Sequence, residues 1–325
     1  MGNSVKQTLI IISIFLFSFI SISCTSSSSS SSTTSTDNST VSVVTVGGSG
    51  TIVTSSDNGT SWTLRTSGTT ESLYGITPHS TIIPGIGPVL STLVSVGWNG
   101  TILTSTHGTT WTSRTSGTTN KLWGVTFGNG TFVTMGQSGT ILNSSDGSSW
   151  DNRTSGTTET LYDVTYGNGL FVTVGFSGTT LTSSDGISWD NRTSGTLLVL
   201  IGVTYGNGTF VTVGQSGIIL TSPDGTTWTS RTSGSGSDLY DVTYGNGLFV
   251  TVGKSGIIHT SSDGISWDNR TSGTSNLLSG VTYVNGTFVT VGKSGTILTS
   301  SDGTTWTKRT SGTSVDLFGV VSYSQ

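Results

Sequence analysis

The stretch from Leu161 to Trp189 decides the fold, and it reads LYDVTYGNGLFVTVGFSGTTLTSSDGISW. Two short runs that alternate apolar and polar residues flank Asn168-Gly169, and Asn-Gly is a strong hairpin signal because both turn positions need a positive φ. Further turns are expected at residues 175–178 and 184–186. The stretch therefore predicts four short antiparallel strands, A to D, which is the content of one propeller blade.

The same unit recurs along the chain with a fixed period. From Trp111 to Trp306 the Trp residues that end each unit lie 39 residues apart, and Trp62 begins the series 49 residues before Trp111. A period in this range is typical of a solenoid or a propeller. A β-helix is the alternative, but it would not use three hairpin turns in each repeat, so the propeller is favoured.

The two ends of the repeat region predict how the ring closes. Residues 41–46 match strand B with no strand A before them, and residues 317–323 match strand A with nothing after them. Six complete units and this composite one make seven blades. The predicted fold class is an all-β, seven-bladed β-propeller of four-stranded antiparallel blades over residues 41–325. The C-terminal strand joins the N-terminal sheet, which hides the free sheet edges.

The turn between strands C and D carries a motif. Residues 55–62 read SSDNGTSW, which matches the Asp-box pattern Ser-x-Asp-x-Gly-x-Thr/Ser-Trp; the other copies are one residue shorter, and His107 replaces the Asp in one. We expect the carboxylate to accept backbone N–H bonds, the Gly to take a positive φ and the Trp to pack beneath the turn. The structural Asp-box residues are Asp57, Trp62, Trp111, Asp146, Trp150, Asp185, Trp189, Asp224, Trp228, Asp263, Trp267, Asp302 and Trp306.

Over residues 41–325 the repeats resemble the photosystem II stability/assembly factor type of seven-bladed propeller, built from Asp-box (BNR-like) repeats. The shared features are an Arg-x-Ser-Gly-like strand end, the Gly-x-x-Gly-x-Ile-Leu segment and the Asp-Gly-x-x-Trp turn. The resemblance implies the propeller fold. It does not imply a photosynthetic role, because fold and function separate readily.

Residues 1–23 have the layout of a signal peptide. Lys6 precedes an apolar run at residues 9–22, which is shorter than the roughly 20 residues of a transmembrane helix. Cys24, the only cysteine, follows directly, as in a bacterial lipoprotein, so we expect it to be lipidated. Residues 24–40 are rich in Ser and Thr and form a flexible tether. The protein is then exported and anchored at the cell envelope or surface; the alternative is an ordinary secretory signal with an incidental cysteine.

Composition and charge exclude several classes of function. The formal net charge is −4, so no basic surface for nucleic acid is expected. A single cysteine excludes a disulfide framework and a Cys-based zinc site. His79, His107 and His259 show no metal-ligand spacing, so we predict no metal and no cofactor. We expect a monomer, with membrane association only through the lipid anchor.

The sequence predicts no catalytic residue. Asp boxes are best known in sialidases, which use an arginine cluster on the substrate carboxylate, a Tyr nucleophile paired with Glu, and an Asp acid/base. Every Arg here occupies the same repeat position before Thr-Ser-Gly, and Glu71 and Glu159 occupy equivalent sites. We therefore expect a non-catalytic scaffold for protein–protein interaction whose partner is unknown. A carbohydrate-binding, lectin-like propeller is the alternative, and a glycoside hydrolase or sialidase-like enzyme is less favoured.

One set of candidate contacts lies at the tips of the B–C turns. A single position in this turn varies between repeats, and it carries Trp98, Phe176, Lys254 and Lys293 in four of them. Aromatic residues at turn tips have little packing reason, so they favour a partner or ligand; the alternative is that they cover a neighbouring blade.

A second candidate surface is an insertion at residues 78–90, which we expect to form a loop on the opposite face. It contains three of the four prolines together with Ile82, Ile83 and Ile86. We expect it to cover a blade edge or the channel mouth, or to dock a partner. Aromatic residues near the start of strand A are expected to pack between blades, with binding as the less favoured alternative; they are Tyr74, Trp123, Tyr162, Tyr240 and Phe318.

Overall fold

A computed structural model describes residues 43–83 and 87–323, with only the backbone described at 82, 83 and 87–91. All of these residues belong to one compact unit, Ser39–Gln325. The predicted signal peptide, Cys24 and the tether lie outside the described residues.

The described residues form 28 strands and seven short 3-10 turns. In chain order the strands are β1 Val43–Gly47, β2 Ile52–Ser55, β3 Thr63–Arg65, β4 Leu73–Ile83, β5 Gly87–Gly97, β6 Ile102–Ser105, β7 Thr112–Arg114, β8 Leu122–Gly128, β9 Thr131–Gly136, β10 Ile141–Ser144, β11 Asp151–Arg153, β12 Leu161–Gly167, β13 Leu170–Gly175, β14 Thr179–Ser183, β15 Asp190–Thr193, β16 Leu200–Gly206, β17 Thr209–Gly214, β18 Ile218–Ser222, β19 Thr229–Thr232, β20 Leu239–Gly245, β21 Leu248–Gly253, β22 Ile258–Ser261, β23 Asp268–Arg270, β24 Leu278–Val284, β25 Thr287–Gly292, β26 Thr296–Ser300, β27 Thr307–Arg309 and β28 Leu317–Ser322. The 3-10 turns, one at each B–C connection, are η1 Gly48–Gly50, η2 Trp98–Gly100, η3 Gln137–Gly139, η4 Phe176–Gly178, η5 Gln215–Gly217, η6 Lys254–Gly256 and η7 Lys293–Gly295.

The strands form seven four-stranded antiparallel sheets, which are the blades of a β-propeller. Blade 1 has the order β28-β1-β2-β3, and blades 2 to 7 follow along the chain with four consecutive strands each, β4–β7 through β24–β27. In blade 1 the C-terminal strand pairs with the N-terminal one, with Val321 opposite Val44. Each A strand contacts the A strand of the next blade, and β28 contacts β4. The predictions of seven blades and of closure by the C-terminal strand are confirmed.

Local sequence explains the tight turns within a blade. In the A–B turn of blade 4, Asn168 has a φ of 50° and Gly169 a φ of 77°. In the B–C turn of the same blade, Ser177 has a φ of 52° and Gly178 a φ of 69°. Gly adopts this left-handed region without the Cβ clash of other residues, and Asn is the residue that tolerates it next best.

The core lies between neighbouring blades. Val133 and Ile141 of blade 3 pack with Leu161 and Phe171 of blade 4, and Trp189 packs against this cluster. Burial of one such large apolar side chain contributes about 1.5–3 kcal/mol to folding. Because every blade provides a wall for the clusters on both of its sides, the sheets hold one another in a ring.

The turns divide between two faces of the ring. In the A–B turn of blade 3, Asn129 Nδ2 donates a hydrogen bond to the carbonyl of Ser184 in the C–D turn of blade 4, at 3.3 Å. In blade 4 the backbone N–H of Phe176 in the B–C turn donates to the carbonyl of Thr160, just before strand A, at 2.8 Å. We therefore name an A–B face, with the A–B and C–D turns, and a B–C face, with the B–C turns and the D–A connections.

The insertion at residues 78–90 differs from the sequence-based expectation. It lengthens strands β4 and β5 to 11 residues each, and the pairing continues as far as Ile83 opposite Gly87. The prediction of a loop was therefore wrong over most of the insertion, because its β-branched residues favour the extended chain and continue a hairpin that has already begun. Ile82 and Ile83 belong to β4, and Ile86 lies outside the described residues.

Candidate functional site

A cavity of about 810 Å³ is lined by the seven A strands, β28, β4, β8, β12, β16, β20 and β24. At the B–C face its lining includes Val199, Leu277, Lys293 and Asp316, which belong to D–A connections and to one B–C turn. A concave, mainly apolar site of this size with a few polar groups is the usual form of a ligand-binding site.

Each blade contributes the second residue of its A strand to the cavity wall or its rim. Side chains alternate along a strand, so Leu161 is fully buried between blades and the next residue, Tyr162, turns toward the cavity. The seven residues at this position are Tyr74, Trp123, Tyr162, Ile201, Tyr240, Ser279 and Phe318.

Four of these side chains, from blades 1 to 4, form a continuous aromatic arc, which we define as Phe318, Tyr74, Trp123 and Tyr162. Ring centroids are 5.3 Å apart for Phe318 and Tyr74, 4.3 Å for Tyr74 and Trp123, and 5.7 Å for Trp123 and Tyr162. The rings pack from blade to blade, as the sequence predicted. They also form one wall of the cavity, a position that suits the less favoured alternative, binding.

The arc is an apolar, largely neutral surface. Burial raises the pKa of Tyr162, and burial also raises the pKa of Tyr74, which the nearby Glu71 carboxylate raises further. Both phenols are therefore protonated at neutral pH. The indole Nε1 of Trp123 is buried and has no hydrogen-bond partner among the residues that the structure describes.

Two carboxyl groups lie in the other part of the cavity wall. Asp163 of blade 4 accepts hydrogen bonds from the backbone N–H of Val164 at 2.8 Å and of Val203, in blade 5, at 2.9 Å. Asp241 of blade 6 makes the equivalent pair, to its own neighbour at 2.7 Å and to Val281, in blade 7, at 2.8 Å. Each carboxyl therefore joins two adjacent A strands.

Burial governs the charge of these two carboxyl groups. It raises the pKa of Asp163 to about 7, against the lowering effect of the two backbone hydrogen bonds. Burial, and then the negative charge of Asp163, raise the pKa of Asp241 to about 8. Both carboxyls therefore take up a proton at a higher pH than an ordinary Asp does.

The four residues predicted at the B–C turn tips do lie on the B–C face, on four different blades, and they form no common cluster. Trp98 is 43% exposed, and the Nζ of Lys121 lies 3.7 Å from its ring centroid, so the chain itself covers part of the ring. Phe176 is 46% exposed and belongs to η4, which contacts β16. Lys254 and Lys293 are exposed, and only Lys293 lines the cavity.

An apolar patch that the sequence analysis missed lies in the D–A connection before blade 5. Leu197 is 86% exposed, Leu198 is partly exposed, and Val199 lines the cavity. The corresponding connections of the other blades carry mostly Thr, Ser, Asn or Glu at the first two of these positions, so comparison between repeats was the signal that could have found the patch. The patch continues the apolar surface from the cavity onto the B–C face.

The C–D turns lie on the opposite face and are held by local hydrogen bonds. In blade 4 the carboxylate of Asp185 accepts bonds from the backbone N–H groups of Ile187 at 2.8 Å and Ser188 at 2.9 Å. These bonds lower the pKa of Asp185. In blade 7 the indole Nε1 of Trp306 donates to the carbonyl of Gly303 at 3.1 Å. The geometry gives these residues a role in closing the turn.

The arginines are also engaged locally. Arg153 Nε donates to Asn143 Oδ1 at 2.8 Å, and its Nη2 lies 2.9 Å from the carboxylate of Asp151. The Nε of Arg192 in the next blade donates to Thr182 in the same way, at 2.9 Å. These side chains connect strands C and D within each blade and do not converge on the cavity.

Two further observations concern metals and membranes. Within residues 43–83 and 87–323, no group of three His, Cys, Asp or Glu side chains is arranged to hold a metal ion. The same residues contain no helix with the length and apolar character that crossing a membrane requires.

Comparison with known proteins places the fold. No family model and no curated protein matches the chain. Solved structures do: YCF48 bound to a D1 peptide has 16% sequence identity over 84% of this chain and 85% of that one, with a TM-score of 0.57. YCF48 from Cyanidioschyzon merolae has 16% identity over 75% and 86%, with a TM-score of 0.58. The WD40 beta propeller domain of Doa1 has 12% identity over 85% and 89%, with a TM-score of 0.59. At these identities the likeness shows the propeller fold alone.

Proposed function

We propose that this chain is a monomeric, non-catalytic scaffold, anchored at the cell surface, that binds a segment of a partner protein in the cavity at its B–C face. The observation that carries the proposal is the aromatic arc, in which side chains from four blades form one wall of a single cavity. Aromatic rings bury a large area with little loss of conformational freedom and dominate the energetics of protein interfaces. Apolar side chains of a partner fit such a wall.

The engagement of the polar groups supports a binding role over a catalytic one. Both oxygens of Asp163 already accept backbone N–H bonds, as do both oxygens of Asp241. Arg153 and its equivalents are held by strand C of their own blades. Most glycoside hydrolases use two carboxyl groups, one as the acid and one as the base or nucleophile. Here both carboxyls of the cavity instead hold adjacent A strands together through backbone N–H groups.

A protein segment is favoured over a glycan by the character of the lining. Sugars offer many hydroxyl groups, and burial of a hydroxyl without a partner is unfavourable. Beside the arc, this cavity is lined by apolar residues such as Ile76, Val125 and Ile201. A propeller of the same fold is known bound to a D1 peptide, which also supports a peptide ligand. A lectin-like role remains the second candidate because aromatic faces also stack on sugar rings.

The surface anchor rests on the sequence before the propeller. A signal-like segment over residues 1–23 precedes Cys24, and the Ser- and Thr-rich composition of residues 24–40 is typical of a tether. A tethered disc that presents its B–C face to other proteins at the envelope or cell surface suits the proposed scaffold role.

The test is capture of partners by the full-length chain in detergent, beside a glycan array. The variant is Tyr74→Ile with Trp123→Ile, because Ile201 occupies the same position in blade 5 and the fold accepts Ile there. The matched control is Ile187→Thr, on the A–B face, where Thr226 occupies the equivalent position in blade 5.

We expect partner capture to fall at least tenfold in the arc variant and to stay unchanged in the control. Capture that survives the arc variant would refute the cavity as the binding site. Glycan binding that is lost in the arc variant, without any captured protein, would support the lectin-like alternative instead.

A further inference from the structure

The two carboxyl groups in the cavity wall are departures from the repeat. Asp163 and Asp241 occupy the third position of strand A in blades 4 and 6. The other five blades all have Gly at this position, as Gly75, Gly124, Gly202, Gly280 and Gly319. Because five blades fold with Gly, the propeller does not need a carboxyl group there.

A carboxyl group at this position is unfavourable unless something compensates for it. Ionised carboxylates lose much of their hydration when protein encloses them, and two backbone N–H bonds replace only part of it. In the described part of the chain the ion pairs join Asp151, Asp190 and Asp268 to the arginines of their own strands, and none involves Asp163 or Asp241. Among residues 43–83 and 87–323, the two cavity carboxyls therefore form no ion pair.

The surroundings of the pair suit a positively charged group. Each carboxylate oxygen accepts a hydrogen bond from one backbone N–H. A carboxylate oxygen has two lone pairs, so the second can accept a bond from a ligand. The same cavity contains the aromatic arc, and the faces of aromatic rings attract the positive charge of Lys and Arg side chains. The aliphatic part of such a side chain also packs well on aromatic rings.

The other charged groups near the cavity do not remove its preference for a positively charged ligand. Lys293 lies at the rim and is exposed, so solvent screens its charge. Asp316 lines the rim and accepts a bond from the backbone N–H of Ser294 at 2.7 Å. Together the described groups of the lining give three carboxyls and one ammonium group.

We propose that the cavity recognises a cationic side chain, Lys or Arg, whose charged head pairs with the carboxyls of Asp163 and Asp241 while its stem lies against the aromatic arc. This inference deepens the proposed function, on which it rests, by naming the chemistry of the partner segment. Binding requires the ionised carboxyls, so a bound cation releases protons from the pair and affinity rises with pH.

The experiment measures binding of short blocked peptides to the full-length chain in detergent, by calorimetry. The probes are Gly-Lys-Gly, Gly-Arg-Gly and Gly-norleucine-Gly, the last of which is close to Lys in shape but uncharged. At pH 8.5 we expect at least tenfold tighter binding of the Lys or the Arg peptide than of the norleucine peptide. At pH 5.5 we expect this preference to shrink at least fivefold.

The repeat itself supplies the variants. Asp163→Gly with Asp241→Gly installs the residue of the other five blades, and we expect it to abolish the preference for the charged peptides. The control, Asp190→Thr with Asp268→Thr, removes two negative charges from strand D, outside the cavity. Thr229 of blade 5 shows that this position accepts Thr, and we expect the control protein to keep the preference for the charged peptides. Asp163→Asn with Asp241→Asn is a second neutral pair, used if the Gly variant fails to fold.

Three results would overturn the inference: equal binding of the charged and norleucine peptides, no binding of any of them, or a preference that persists in both neutral variants. The proposed function fails separately. If partner capture depends on Tyr74 and Trp123 while the peptides show no charge preference, the scaffold role stands and the cation site is refuted.

Discussion

The carboxyl group of Asp163 in blade 4 accepts a hydrogen bond from the backbone N–H of Val203 in blade 5, at 2.9 Å. The same link recurs two blades further on, between Asp241 and Val281 at 2.8 Å. A side chain that could serve a ligand thus also joins two inner strands. This dual position makes the charge of the two carboxyls matter for stability as well as for binding.

The first prediction is that these carboxyls make stability depend on pH. The pKa of Asp163 is raised from 3.8 to about 7 and that of Asp241 to about 8, mainly by burial. Between about pH 4 and pH 8 the folded chain therefore binds more protons at these groups than the unfolded chain does, so their contribution to the free energy of unfolding falls as pH rises. Urea denaturation at pH 5, 6.5 and 8 measures this slope.

The slope should be smaller in Asp163→Gly with Asp241→Gly than in the unaltered chain. The matched control, Asp190→Thr with Asp268→Thr, removes two exposed charges and should keep the slope. An identical pH dependence in all three proteins would show that the cavity carboxyls titrate normally.

The second prediction concerns His259, which is 2% exposed in strand C of blade 6. Neither ring nitrogen has a hydrogen-bond partner among the described residues, and burial lowers the pKa of the imidazole. Five other blades have Leu at this position, as Leu103, Leu142, Leu181, Leu220 and Leu298. We expect His259→Leu to stabilise the chain by about 1–3 kcal/mol because it removes unsatisfied buried polar atoms.

The gain from His259→Leu should grow as pH falls below about 6.5. The unfolded chain then binds a proton at His259 that the folded chain resists, so stability is lost on the acid side. Leu298→Val, at the same position in blade 7, is a control that should be mildly destabilising and should show no such pH dependence. A destabilised His259→Leu protein would mean that the imidazole has a role that the described contacts do not reveal.

The third prediction tests ring closure. Deletion of residues 317–325 removes β28, whose Leu317 is fully buried, and leaves β1 without its partner strand. We expect aggregation or a loss of more than about 3 kcal/mol, since replacing a single buried Leu by Ala already costs about 2–5 kcal/mol. Deletion of residues 324–325 leaves β28 complete and serves as the control. Equal melting temperatures for both truncations would contradict the closure as a source of stability.

The fourth prediction concerns the anchor. Cys24→Ala should move the protein from the membrane fraction to the soluble fraction, because the lipid is the attachment that the sequence predicts. Immunoblots of fractionated cells measure this change, and Ser23→Ala, next to the proposed cleavage site, is the control that should stay in the membrane. Retention of the Cys24→Ala protein in membranes after a salt wash would contradict the lipoprotein assignment.

Local signals explain why most of the fold could be predicted. Turns such as Asn168-Gly169 and Ser177-Gly178 require residues that accept a positive φ. Such residue pairs therefore mark the positions of the tight turns in the sequence. The extension of β4 and β5 could not be predicted because prolines usually interrupt strands, whereas here pairing continues to Ile83 and Gly87.

The site was harder to predict, because the cavity arises only when seven blades close. The alternation of side chains along a strand predicts that Tyr74 and Trp123 lie on the same side of their strands, but it does not predict the width of the central cavity that they face. The sequence shows that Asp163 and Asp241 replace the Gly found at the same position of the other five blades. Their significance needed the structure, which shows that both line the same cavity.

The central claim, that a partner segment enters the cavity at the B–C face, is tested most directly by site-specific photo-crosslinking in the full-length chain. The photoreactive residue p-benzoylphenylalanine replaces Tyr162 in the cavity wall or, as the control, Ile187 on the A–B face. We predict a crosslinked partner from position 162 and none from position 187. Crosslinking from position 187 alone, or from neither position while partner capture persists, would contradict the cavity as the binding site.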